Sequence, residues 1–368
     1  MHMKKKIAAA CVAAMAAFSL PMGIVPVQPV QADLITDVIG GFQVKSALSK
    51  QIKHYDTTHY DTTKEGQSEI YQSVTKQTGV LNNSYYNERL ASIMNRLSAS
   101  IAQTDPSIKT LPYRWYVSPD TTFNAACTMG HVMVVNKGMF DLVSNDDEIA
   151  VVLGHEMGHG QKHHVANSTQ KKVNVEIGKM VLADTIGGSG LNNLILNTVS
   201  NQIETVHIDR AAEWEADNLS FGYITRAGYN PGATAAIWQR VMEKQGDNAS
   251  NFVGEIFSPS DHPSNQERRD NYANKLYEMS GKHASVKDGT VYVNGKKFIK
   301  PAATSSMSSA ERSYFVLGNL AAAYQNGHSK QQATASGGTL YLGPQNIMTP
   351  VNGDPSAEEL AAQLNKIK

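Results

Sequence analysis

The pentapeptide His155-Glu156-Met157-Gly158-His159 constrains this chain more than any other stretch. It follows Ile149-Ala150-Val151-Val152-Leu153, an apolar run that reads as the buried face of a helix. Residues i and i+4 of a helix share a face, so the two imidazoles can meet one ion with Glu156 beside them. That set supplies two ligands and a general base, as a zinc hydrolase requires. The alternative is an amphipathic helix with two solvated histidines, and the apolar residues before the pair argue against it. Gly154, Gly158 and Gly160 are poor helix formers. They mark places where something approaches the backbone closely.

A catalytic zinc takes three protein ligands and keeps one position open. The segment Arg210-Ala211-Ala212-Glu213-Trp214-Glu215-Ala216-Asp217 offers Glu213 and Asp217, again at i and i+4 of a predicted helix. One carboxylate can bind the metal while the other accepts a hydrogen bond from a ligating imidazole. Taken alone, the segment reads equally well as a charged surface helix held by weak ion pairs.

Together these motifs resemble the gluzincin metallopeptidases of the HtpX, Oma and CAAX-prenyl-protease family, and within it the soluble, exported branch that includes BepA and LoiP. Three further stretches carry the likeness. They are Phe123-Asn124-Ala125-Ala126 followed by Gly130 to Gly138, then Ser144 to Ala150, then Ser260-Asp261-His262-Pro263-Ser264 with Glu267-Arg268-Arg269. The resemblance covers residues 65–280. It implies one zinc per chain, with His155, His159 and Glu213 as ligands, Asp217 as their hydrogen-bonding neighbour and Glu156 as the base. It also implies that His262 lies near the metal. There His262 stabilises the oxyanion, fills the open metal position and holds the enzyme latent, or is a structural histidine beside a proline turn.

The expected fold is α+β and mainly helical: a zincin-like domain with a small sheet beside the zinc helix, and a small C-terminal α/β appendage. The segment from Gly130 to Val135 is predicted to be the sheet's edge strand. Asn124, Ala125, Gly130, His131, Val132 and Met133 then line the peptide by strand addition, which reads backbone more than side chains. The predicted function is a zinc endopeptidase acting on extended or misfolded envelope proteins, with envelope assembly partners possible. The competing reading is a periplasmic chaperone or assembly adaptor that holds chains without cutting; an intact Glu156 favours the enzyme. His131, His163, His164 and His207 are read as structural.

The chain begins with Lys4-Lys5-Lys6 and an apolar stretch from Ile7 to Leu20, about fourteen residues, too short to span a bilayer. Val30-Gln31-Ala32 offers small residues for cleavage, so residues 1–32 read as a signal peptide and the product as exported, periplasmic or secreted. Removing them leaves a lone cysteine, Cys127, which excludes an internal disulfide. Lys+Arg and Asp+Glu both number 33, a balance that points to neither nucleic acid nor an anionic membrane. Residues 33–64 read as a polar arm. It contains a tandem repeat, His54-Tyr55-Asp56-Thr57-Thr58 and His59-Tyr60-Asp61-Thr62-Thr63, taken as a flexible or extended segment. Residues 65–280 form the predicted peptidase domain and 281–368 the appendage, expected to pack on it. Gly187-Gly188-Ser189-Gly190 reads as a turn or a mobile loop. Gly289 to Phe298 reads as a hairpin turning at Asn294-Gly295, followed by helices from Ser308 to Tyr324 and Ala357 to Ile367. No thirty-four-residue helical period is found.

Overall fold

The computed structural model describes residues 57–182, 208–245 and 263–368. It opens on helices α1 (Thr58–Thr62), α2 (Lys64–Thr78) and α3 (Ser84–Ile101). Helix α3 forms on the stripe Leu90, Ile93, Met94, Leu97 and Ile101, all fully buried, and Asn83 caps it by accepting the Tyr85 N–H. The second copy of the tandem repeat is therefore helical, not an extended arm. Its Asp61 is buried.

Three short strands follow: β1 (Arg114–Ser118), β2 (Ala125–Thr128) and β3 (Val132–Asn136). Their order is β1-β3-β2. Strand β3 pairs in parallel with β1, Tyr116 opposite Val134, and antiparallel with β2, Cys127 opposite Met133. This corrects the edge-strand expectation. Gly130, His131, Val132 and Met133 lead into and form the inner strand, whose ladder is used on both sides. The outer strands are β1 and β2, and of the six residues expected to line the peptide, Ala125 lies in outer strand β2 with Asn124 just before it.

The helices α4 (Gly138–Leu142), α5 (Asp146–Gln161), α6 (His164–Leu182), α7 (Arg210–Arg226), α8 (Ala233–Gln245) and α9 (Asn265–Met279) come next. Helix α5 carries the pentapeptide and is buried from Glu148 to Gln161. Its cap is Asn145, whose side chain accepts the Asp147 N–H at 2.8 Å. The Ser264–Glu267 capping box at the start of α9 is formed in full.

The glycines of α5 have a packing reason. A Cβ on Gly154 would sit 3.0 Å from Ser220 Oγ, and one on Gly158 would sit 3.2 Å from Ala216 Cα. Both neighbours belong to α7, so the bare backbone lets α7 lie close against α5. Ser220 Oγ then donates to Val151 O at 2.7 Å. That close crossing brings Glu213 and Asp217 against the pentapeptide.

The C-terminal part contains a repeat. Strands β4 (Ala284–Lys287), β5 (Thr290–Val293) and β6 (Lys296–Ile299) form a meander followed by α10 (Ser309–Gln325). Strands β7 (Ala333–Ser336), β8 (Thr339–Leu342) and β9 (Gln345–Met348) form a second, followed by α11 (Ala357–Ile367). The pair Ala284↔Val293 recurs as Ala333↔Leu342, an offset of 49 positions (284 to 333, 293 to 342). The register irregularity at Val291/Tyr292 recurs at Leu340/Tyr341. Each helix starts with a capping box, Ser308–Glu311 and Ser356–Glu359. The units also exchange contacts: α10 reaches β9 and α11 reaches β6. Asn319 Nδ2 donates to Ile347 O at 2.9 Å, and Gln363 Nε2 donates to Phe298 O at 2.8 Å.

The first unit packs on α8 and α9 through α10, and one hydrophobic core runs from Leu90 to Leu364. At the crossing, a Cβ on Gly318 would lie 2.1 Å from Gly232 N and 2.2 Å from Asn230 Oδ1. Gly318→Ala is therefore expected to destabilise the protein by about 1–3 kcal/mol, the usual cost of overpacking. Thermal unfolding reads this directly, and an unchanged midpoint would count against the close crossing. No helix among the described residues is long and apolar enough to cross a membrane.

Candidate metal centre

Helix α5 presents His155 and His159 on one face, and α7 brings Glu213 to it. One ligand atom from each of the three lies within 4.8 Å of the others, and all three residues are buried. His155 Nε2 and His159 Nε2 are 3.0 Å apart. Glu213 Oε2 is 3.4 Å from the first and Glu213 Oε1 is 3.3 Å from the second. A tetrahedron with bonds of about 2.0–2.1 Å, the zinc–nitrogen and zinc–oxygen range, has edges of about 3.3 Å. Each imidazole nitrogen thus faces its own Glu213 oxygen at close to that spacing, and the three side chains converge on a point where a zinc-sized ion would fit.

The charges agree with that fit. Asp217 and Arg268 are both buried, and Arg268 Nε donates to Asp217 Oδ2 at 2.8 Å while its Nη2 binds Oδ1. They cancel. An ion bound at both Nε2 atoms would displace any proton there and leave the imidazoles neutral beside the buried carboxylates Glu213 and Glu156. A divalent cation balances both. Two nitrogens and one oxygen are a donor set that suits zinc.

His155 is aimed from behind. Its Nδ1 lies 2.9 Å from Asp217 Oδ1, so a proton on Nδ1 donates to Asp217 and leaves Nε2 for the ion. Burial and Arg268 oppose a proton on His155, but Asp217 and Glu213 outweigh them and raise its pKa to about 9. Burial alone would push Asp217 up. Arg268 and His155 overcome it and hold the carboxyl at about 2. Arg268 also stacks on the Trp238 ring, 3.7 Å from its centre, and Tyr272 OH donates to Asp217 O at 3.0 Å. His159 is driven down, first by burial and then by His155.

Glu156 faces the sheet. Its Oε2 accepts the Cys127 N–H at 3.0 Å, so Cys127 turns its backbone away from β3. Strand backbone alternates with period two, which puts the N–H and C=O of Ala125 along the same outer edge of β2. Burial raises Glu156 to about 7, against the pull of His155 and the Cys127 N–H.

Sequence reasoning counted Arg268 among the residues that carry the likeness but gave it no role, since it reads as one charge in a polar helix. It also took His164 as merely structural, and it passed over β2 because Ala125-Ala126-Cys127-Thr128 is a weak strand signal. His131 is buried, with Nδ1 2.8 Å from Leu111 O. His262, His207, Gly187 to Gly190, the signal-like residues 1–32 and the rest of the arm up to residue 56 lie outside the described residues.

Comparison with known proteins places these residues in context. The model for Peptidase family M48 matches residues 84–274, just over half of the chain. The chain is 26% identical over 196 residues to metalloprotease LoiP of Escherichia coli (strain K12), covering 53% of this chain and 72% of that protein. It is 28% identical over 170 residues to the mitochondrial metalloendopeptidase OMA1 of Saccharomyces cerevisiae, covering 44% and 48% of the two. The OMA1 of Arabidopsis thaliana matches at 28% over 145 residues, 39% of this chain and 28% of the plant protein. The beta-barrel assembly-enhancing protease of Yersinia pestis matches at 22% over 166 residues, 43% and 34%. The chain therefore spans less than half the length of the mitochondrial relatives.

Proposed function

The chain belongs to peptidase family M48, and from that premise we propose that it is a zinc-dependent endopeptidase cutting extended or misfolded envelope proteins. The observation that carries this reading is the convergence of His155, His159 and Glu213 on one buried point, with Glu156 beside it. A zinc ion held by those three would acidify a water to a pKa near 7 and polarise the scissile carbonyl.

The chain's own groups do the rest. The outer edge of β2 at Ala125 pairs with substrate backbone and lays it across α5, while the next outward N–H, that of Cys127, stays on Glu156. Glu156 takes the proton of the attacking water and hands it to the leaving nitrogen. Asp217, backed by Arg268, holds His155 in the tautomer that leaves Nε2 free. His262 is assigned to the oxyanion or to the fourth metal position. Loss of activity in His262→Ala selects the first role, and a gain selects the second.

We take residues 65–280 as the catalytic unit and 281–368 as its appendage. The envelope assignment rests on the signal-like segment of residues 1–32 and on the beta-barrel assembly-enhancing relatives, and it makes the protein an exported one, periplasmic or secreted.

The test combines metal analysis with proteolysis of casein and of an unfolded outer-membrane protein. Purified protein is expected to hold close to one zinc per chain, to cleave, and to stop cleaving when a chelator removes the metal. Glu213→Ala is expected to lose most of its zinc. Zinc that survives this substitution means another group is the third ligand. Binding without cleavage at full zinc occupancy would favour the holding-only adaptor.

A further inference from the structure

The two ligand imidazoles are steered in different ways. His155 Nδ1 meets a carboxylate directly, at Asp217. His159 Nδ1 instead lies 2.9 Å from His164 Nδ1, and His164 Nε2 lies 3.3 Å from Glu215 Oε2. Resting on the reading of His159 as a metal ligand, we propose that His164 and Glu215 are positioning residues for it. His164 fixes the tautomer and ring orientation of the ligand, and Glu215 fixes His164.

The proton order has one solution. His159 Nε2 faces His155 Nε2 and Glu213, so binding a cation needs the lone pair there and the proton on Nδ1. That proton is donated to His164 Nδ1, which must therefore be the acceptor. The His164 proton then sits on Nε2 and is donated to Glu215. Both histidines are neutral, and the charge rests on Glu215, which Lys162 Nζ also holds at 3.1 Å. Outer partners of this kind orient a metal ligand and raise its basicity.

The backbone explains how His164 reaches this place. It follows His163, whose φ is 56°, a region that non-glycine residues rarely occupy. The corner turns the chain from α5 into α6 and points His164 back over the last turn of α5. Strain of this sort persists only where surrounding contacts hold it, and here one contact is evident. Asp61 Oδ2 lies 2.6 Å from His163 Nδ1, and Asp61 Oδ1 accepts the Gly130 N–H at 3.1 Å. The second copy of the tandem repeat thus clasps the corner that aims His164.

The test measures zinc affinity of the apo-protein against a chromophoric competitor, and the visible spectrum of the cobalt(II) form. His164→Phe is expected to weaken zinc binding by about 10–100-fold and to shift the cobalt bands. His164→Asn puts an amide oxygen where Nδ1 stood and is expected to restore most of the affinity. Glu215→Gln should give a smaller loss of the same sign. Wild-type affinity and an unchanged cobalt spectrum in His164→Phe overturn the proposal, as does equal loss in the Phe and Asn variants, which reduces His164 to packing. His159→Ala runs beside them. If it keeps wild-type affinity, the ligand assignment itself is wrong, an outcome distinct from failure of the positioning arm alone.

Discussion

Exchanging Glu156 for glutamine is expected to lower peptide hydrolysis by about 10²–10⁴-fold while zinc content stays at the wild-type level. The two side chains have the same shape. The Gln amide oxygen can still accept the Cys127 N–H that Glu156 Oε2 accepts at 3.0 Å, so the edge strand and α5 keep their places. Only the capacity to take a proton disappears. Burial lifts Glu156 to about 7, close to the pH at which a general base is most effective. Initial rates on casein, paired with zinc analysis of the same sample, check the expectation. Activity above a tenth of wild type would remove Glu156 from the role of base. A parallel loss of zinc would make it a group that holds the metal.

The second large effect concerns stability. Arg268→Met is expected to cost about 3–5 kcal/mol, because it removes the guanidinium that holds both oxygens of the buried Asp217 carboxylate. Arg268 is 1% exposed and Asp217 0%, so solvent cannot take over. The pH dependence has a definite sign. In the wild type the Asp217 pKa is held at about 2, below the ordinary 3.8. It stabilises the fold above pH 3.8, and that contribution is lost as pH falls towards 2. In the variant, burial is opposed by His155 without Arg268, and the Asp217 pKa rises from its wild-type value. The difference between the two proteins is then largest near neutrality and narrows below pH 3.8. Urea unfolding at neutral and acid pH measures it. A cost under about 1 kcal/mol, or one that grows on acidification, would show that Arg268 is not the counter-charge. The double variant Arg268→Met/Asp217→Leu removes both charges together and should recover part of the loss.

Much of the candidate centre was legible in the sequence, for reasons that are local. His155, Glu156 and His159 are fixed relative to one another by helix geometry alone, and so are Glu213 and Asp217. The convergence of the two sets was not local. It depends on Gly154 and Gly158, which could be read as close-approach sites but not assigned a neighbour. The sheet order is a tertiary fact that the strand signals obscured. Val132-Met133-Val134-Val135 is the stronger signal, and apolar residues on both faces are the mark of a strand buried on both sides, so it belongs inside the sheet. Arg268 sits in a polar run and reads as solvated until Asp217 is brought beneath it. His164 is separated from His159 by a corner at His163 whose positive φ no sequence rule predicts. The C-terminal repeat left traces in Gly289-Thr290-Val291-Tyr292 and Gly338-Thr339-Leu340-Tyr341. The second copy is rich in Gly, Gln and Ser, which weakens its strand signal.

That repeat has a consequence for how such a chain can change. Each meander is roofed in part by the helix of its twin, so neither half is a finished object. Cutting the gene after Gln325 would strip β6 of its α11 contact and leave α10 without β9 beneath it. The tail behaves like two hands clasped in one chain: evolution can add or discard the pair, but a single hand has nothing to hold.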